Sequence, residues 1–284
     1  MVSSNASGHL AAFLTRLAHQ PAVLVQVASS AGSVPRDAGA WMAVFADAIV
    51  GTIGGGRLEH EAIANARARL HAADVKQVGE PVLERVSLGP SLGQCCGGVV
   101  HLRFERVSAC DMPALTLRLS ASLVPVALFG GGHVGHALVQ VLAPLPFAVT
   151  WIDSREGVFP ESAPAHVLCE HSEPVQSAVH GLRPQSRVLI MSFSHAEDLD
   201  VVMACLRRQR EKADLPYIGL IGSETKWATF RHRLEARGFK PAELAHVTCP
   251  IGVPGITGKE PEVIAVAVAA QLLQALSQSP SSPA

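Results

Sequence analysis

Aromatic side chains are scarce in this sequence. Phe, Trp and Tyr make up 5% of its 284 residues, so the core must be built from Ala, Val, Leu and Ile. That composition suits helices packed on a parallel sheet better than an aromatic-rich β-sandwich. An excess of one charge is missing too. Lys plus Arg number 23 and Asp plus Glu 24, a formal net charge of −1, which argues against a nucleic-acid partner held by phosphate neutralisation. Long apolar runs are absent: the weakly charged stretch 121–152 is broken by three consecutive glycines, two histidines and three prolines, and 263–276 is short and carries Gln271 and Gln274. Neither matches the ~20 apolar residues of a membrane span. Residues 1–8 lack a basic segment followed by an apolar one, so no signal peptide and a cytoplasmic location are expected. The six cysteines (95, 96, 110, 169, 205 and 249) show neither a disulfide framework nor a C-x-x-C pair, which argues against a structural zinc site of the usual kind.

What is present is apolar and periodic. Hydrophobic residues reach 48% against 17% charged, enough for a sizeable core. Residues 1–110 read as a mixed α/β domain, with a helix over 9–19, extended segments over 22–28 and 40–53, and a helix over 57–73. Along that second helix Leu58, Ala62, Ile63, Ala66 and Leu70 share one face. Strands are predicted over 82–88 and around 100–105, where Val100, Leu102 and Phe104 alternate with His101, Arg103 and Glu105. Periodicity weakens after Arg106, and Pro113 marks a connector, so 111–123 is expected to be a linker. From 124 to 277 short apolar strands alternate with helices, the sequence form of a Rossmann-like, doubly wound parallel sheet. The Ser/Pro-rich residues 278–284 are expected to form a flexible tail.

Four segments carry candidate chemistry. Gly130-Gly131-Gly132-His133-Val134-Gly135 satisfies G-x-G-x-x-G between an apolar strand and a helical pattern, and Asp153 ends the next strand. Gly130 and Gly132 let backbone approach a phosphate, Gly135 allows close helix–strand packing, and Asp153 is placed to accept from a ribose or another ligand donor. The same glycines also suit a bare tight turn. In Gln94-Cys95-Cys96, set between glycines ahead of a strand, a thiol can be presented at a loop tip as metal ligand, nucleophile or sulfur carrier, or it can pack inward as a small hydrophobe. Gly54-Gly55-Gly56-Arg57 opens a helix and offers either a second anion site or a tight turn beside a surface Arg. Ser194, with Glu197 three residues on, reads as a capping box after a sheet strand, leaving His195 as a ligand contact or proton donor.

Taken in order, GTIGGGRLE (51–59), LGPSLGQCCGG (88–98), FGGGHVG (129–135), WIDSRE (151–156), SHAEDL (194–199), YIGLIGSETK (217–226), CPIG (249–252) and GKEPEVIA (258–265) resemble the xanthine dehydrogenase accessory protein family, XdhC. The resemblance implies an N-terminal XdhC domain followed by a Rossmann-type domain. It implies a non-enzymatic chaperone of the molybdenum cofactor (molybdopterin), one that holds the cofactor while a cysteine desulfurase sulfurates it and delivers it to apo-xanthine dehydrogenase. Homodimerisation is implied as well. The family's cysteine carries over jointly to Cys95 and Cys96 as candidate molybdenum contacts, with Gln94 beside them. The terminal phosphate of the cofactor falls to Gly130–Gly135, with Asp153, Arg155, Ser194 and His195 on the same side. The fingerprint by itself supports a different class, an NAD(P)-dependent oxidoreductase in which Asp153 and Arg155 meet an adenosine ribose or its 2′-phosphate, although no catalytic pair of His and Arg or Tyr and Lys stands out.

Overall fold

A computed structural model describes residues 6–71, 81–88, 97–120, 123–164 and 167–278, and the chain divides into two compact units at Ser122/Leu123. The first unit is a three-layer sandwich. Helix α1 (Ala6–Leu17) leads into β1 (Ala22–Ala31), then β2 (Trp41–Val44) and β3 (Ile49–Gly51), so the extended segment foreseen over 40–53 is a hairpin. Helix α2 (Gly56–His71) follows, then β4 (Val82–Ser87), β5 (Val99–Val107) and α3 (Met112–Ser120). The five strands form an antiparallel sheet in the order β3-β2-β1-β5-β4.

Alternation along the central strands divides the core in two. Val23, Val25, Val27, Met42 and Val44 pack with Leu58, Ala62 and Ala66 of α2, joined by Val100, Leu102 and Phe104. Leu24, Trp41 and Ala43 turn the other way, against Leu10, Phe13 and Leu17 of α1 and Leu115 and Leu119 of α3. Both faces of β2 and of the first part of β1 are therefore covered, which is why Trp41–Val44 and residues 22–25 run apolar without alternation. Helix α3 replaces most of the linker expected over 111–123. Pro113 sits in its first turn, where a missing N–H costs nothing, and Asp111 accepts the Ser108 N–H at 2.8 Å just ahead of it.

The second unit is built on β6 (Val124–Phe129), α4 (His133–Leu142), β7 (Phe147–Asp153), β8 (Val167–His171), β9 (Arg187–Ile190), α5 (His195–Lys212), β10 (Tyr217–Leu220), α6 (Glu224–Glu235), α7 (Pro241–Leu244), β11 (Val247–Thr248) and α8 (Pro261–Gln278). Every strand pairs parallel, in the order β8-β7-β6-β9-β10-β11. Numbered from β6, that is the 3-2-1-4-5-6 order of a doubly wound sheet, and its direction reverses between β6 and β9. Helices α4 and α8 cover one face through Leu138, Val139, Leu142, Ala265, Val268 and Leu272. Helices α5 and α6 cover the other, with Val201, Val202, Leu206, Phe230 and Leu234. Among the described residues no helix is long and apolar enough to cross a membrane.

Candidate functional site

In an open parallel sheet, ligands bind beyond the carboxyl ends of the strands where the order reverses. Here that point lies between the loops that follow β6 and β9. The loops touch: a side chain at Gly130 would collide with the Met191 carbonyl oxygen, and Gly130 itself has φ +125°, a region closed to L side chains. Gly135 is equally constrained, since any Cβ there would strike the Gly130 carbonyl. That carbonyl also accepts the buried indole N–H of Trp151 at 2.9 Å, so β7 supports the loop from below. Gly132 differs. Nothing lies within 4 Å of a Cβ built on it, it has ordinary φ −80° as the N-cap of α4, and no side chain caps the helix. The positive end of α4 is thus open beside exposed Gly132 and His133.

Asp153 closes the other side of the loop and is not a bare acceptor. Buried at the end of β7, it takes the Gly131 N–H at 2.6 Å on Oδ2. It also takes the Arg155 N–H at 2.9 Å and the Arg155 guanidinium at 2.9 and 3.0 Å. Burial alone would raise its pKa; the hydrogen bonds from Arg155 and Gly131 outweigh it and hold the carboxyl below the ordinary range. Beyond the ribose-facing role expected of it, Asp153 braces its own glycine loop. The guanidinium so fixed lies 4.6 Å from the centroid of the Phe193 ring.

The loop after β9 is pinned from two directions. Ser194 caps α5 by accepting the Glu197 N–H at 3.2 Å, but the Glu197 carboxylate accepts from Ser154 Oγ at 2.7 Å, tying α5 to the end of β7. Buried Asp198 accepts the Ser192 N–H at 2.8 Å and pairs with Lys226 at 2.6 Å, while Lys226 also donates to the Ile221 carbonyl at 2.8 Å. The turns after β9 and β10 are thereby joined. Ser192 Oγ is shut away from solvent and has no hydrogen-bond partner among the described residues. His195 starts α5, is exposed, and stands edge-on 6.4 Å from Phe230. Cys249, at the end of β11, has its thiol pushed up to about 11 by burial, against the pull of Lys226.

Gly130, Gly131, Gly132, His133, Gly135, Asp153, Arg155, Ser194 and His195 therefore share one sheet edge. The other candidates belong to the first unit. At Gly54-Gly55-Gly56 the second anion site is not realised. Glu59 fills it, accepting the Ile53 N–H at 2.9 Å, the Gly55 N–H at 3.1 Å and the Thr52 hydroxyl. Arg57 is exposed and pairs with Glu61 at 2.8 Å. Gln94, Cys95 and Cys96 lie outside the described residues; the flanking Leu88 N–H donates to the Gly98 carbonyl at 2.8 Å. Sequence reasoning passed over Ser192, Phe193, Asp198 and Lys226, although each stands within or beside a quoted segment. Their position after β9 and β10 was the available signal.

Family models match both units. One described as the XdhC Rossmann domain covers residues 126–272, just over half the chain, and one described as the XdhC and CoxI family covers residues 16–79. An uncharacterized protein of Escherichia coli (strain K12), YqeB, is 28% identical over 265 residues; the match takes in 92% of this chain but only 44% of YqeB. A crystal structure from Bacillus halodurans, described as a xanthine dehydrogenase, superposes with a TM-score of 0.70 over 97% of this chain and 98% of that one. At 21% identity this is a likeness of fold.

Proposed function

The chain belongs to the XdhC family, and from that premise we propose that it is a maturation factor for xanthine dehydrogenase. In this reading it binds the molybdenum cofactor as cargo, holds it while a cysteine desulfurase sulfurates it, and passes it to apo-xanthine dehydrogenase. The family match across both units carries the reading, and the site is compatible with the cargo. The open, uncapped start of α4 offers backbone donors and a favourable dipole to a terminal phosphate without a cationic side chain. Such donors suit a chain with a net charge of −1. In the first unit, Cys95 or Cys96 would supply a thiolate to the metal, a soft ligand of the kind molybdenum accepts. The dinucleotide reading draws less support, because the carboxylate meant for a ribose is already braced by Arg155 and Gly131.

Purification from a molybdopterin-producing host tests this directly. Stoichiometric molybdenum with a fluorescent pterin is the expected result; retained NAD(P) would overturn it. Removing both thiols (Cys95→Ala/Cys96→Ala) is expected to lower bound molybdenum at least tenfold and to abolish activation of apo-xanthine dehydrogenase. Full retention of both would exclude the thiol role.

A further inference from the structure

Phe193 is the anomaly of the second unit. The chain has nine phenylalanines; seven are buried, Phe159 is partly buried, and Phe193 alone is 66% exposed. It stands in the turn after β9, beside the reversal point of the sheet, where ligands of this architecture are held. Its ring is not loose. Arg155 lies over it at 4.6 Å, and the guanidinium is itself held by two hydrogen bonds to the buried carboxylate of Asp153. The preceding Ser192 has a hydroxyl closed to solvent and without a hydrogen-bond partner among the described residues, so it is free to take a water or a ligand atom.

We infer that Phe193 and Arg155 form a stacking platform for a planar heteroaromatic ring, and that the Ser192–Phe193 turn is the ring-recognition element of the site. A flat π-face beside a fixed cation selects a flat, polarisable partner over a saturated one. On the proposed function, on which the ligand's identity rests, that ring is the pterin of the cofactor, while its phosphate lies at the start of α4. The ring is held by stacking, the phosphate by backbone, and neither contact needs the strongly basic surface this chain lacks.

The test uses the full chain with neopterin monophosphate, a phosphorylated pterin whose fluorescence is quenched on stacking, and with NAD⁺ as a source of adenine. The wild type is expected to bind and quench the pterin. Phe193→Ala is expected to weaken binding about tenfold or more and to lose the quenching, and Phe193→Trp to restore both. An exposed position makes these variants safe for folding. Unchanged affinity and quenching in Phe193→Ala would overturn the platform and leave the cofactor reading standing. Phe193-dependent binding of NAD⁺ with none of the pterin would keep the platform and overturn the cofactor reading. Binding of neither ring overturns the platform.

Discussion

Two carboxylates make the same use of a glycine-rich turn. Glu59 accepts the Ile53 and Gly55 amides at the Gly54–Gly56 turn, and Asp153 accepts the Gly131 amide. A turn rich in outward N–H groups attracts anions, and the chain has satisfied part of each turn internally. Within these two turns the start of α4 at Gly132 is left without such a carboxylate, so Gly132→Asp is expected to complete the pattern. The position has φ −80° and free space, so Asp will cap α4, hold or raise stability by a few tenths of ~1 kcal/mol, and expel a bound phosphate. Thermal unfolding and bound molybdenum, measured together, check it: unchanged cofactor content contradicts a phosphate seat there. Asp153 permits a pH test. Its pKa is depressed, so its contribution is present above the ordinary ~3.9 and lost as pH falls below that. Asp153→Asn is expected to cost ~2 kcal/mol at pH 7, near the worth of hydrogen bonds to a charged group, with the gap from wild type shrinking below about pH 4. Urea unfolding between pH 3 and 7 gives the answer, and a gap constant down to pH 3 contradicts it.

At the scale of elements, the Asp198–Lys226 pair joins the turns after β9 and β10 and so sets the shape of the site edge. Both side chains are largely buried, at 3% and 11% exposure, so removing one charge strands the other. Lys226→Met is expected to cost ~3–5 kcal/mol, and Asp198→Asn/Lys226→Met to recover a substantial part, because Asn keeps an acceptor for the Ser192 N–H. Chemical denaturation of both variants decides; equal losses would mean the pair is not the source of the cost. The elements also differ in how far sequence disclosed them. Strand β5 was legible because Val100, Leu102 and Phe104 alternate on a half-covered surface. Helix α3 was not: it has only nine residues, Pro113 looks like a breaker when its place in a first turn is unknown, and Leu115 and Leu119 gain meaning only opposite Phe13 and Leu17 of α1. The glycine fingerprint disclosed the loop after β6. It did not disclose that Asp153 is turned inward, since its donor on Gly131 becomes a neighbour only once β7 lies beside β6.

For the whole molecule, the scarcity of aromatics has a structural counterpart. Each unit closes its own core mainly with aliphatic residues on both faces of its own sheet: Val23, Val25, Leu24 and their partners in the first, Val126, Leu128, Val188 and Ile190 in the second. The second unit contains all six parallel strands and the helices that cover both faces, so nothing its sheet requires comes from residues before 123. Residues 123–284 expressed alone are therefore expected to fold, with one cooperative urea transition of slope ~1–3 kcal/mol/M. The same fragment separates the two halves of the cofactor reading. It keeps the open start of α4, Ser192, Phe193 and Arg155 but lacks Cys95 and Cys96, so it is expected to bind neopterin monophosphate as the full chain does while retaining no molybdenum on purification. A fragment that unfolds without cooperativity would show that the second core is incomplete. One that folds and retains stoichiometric molybdenum would move the metal contact out of the first unit, and with it the reason for a paired thiol in the Cys95–Cys96 loop.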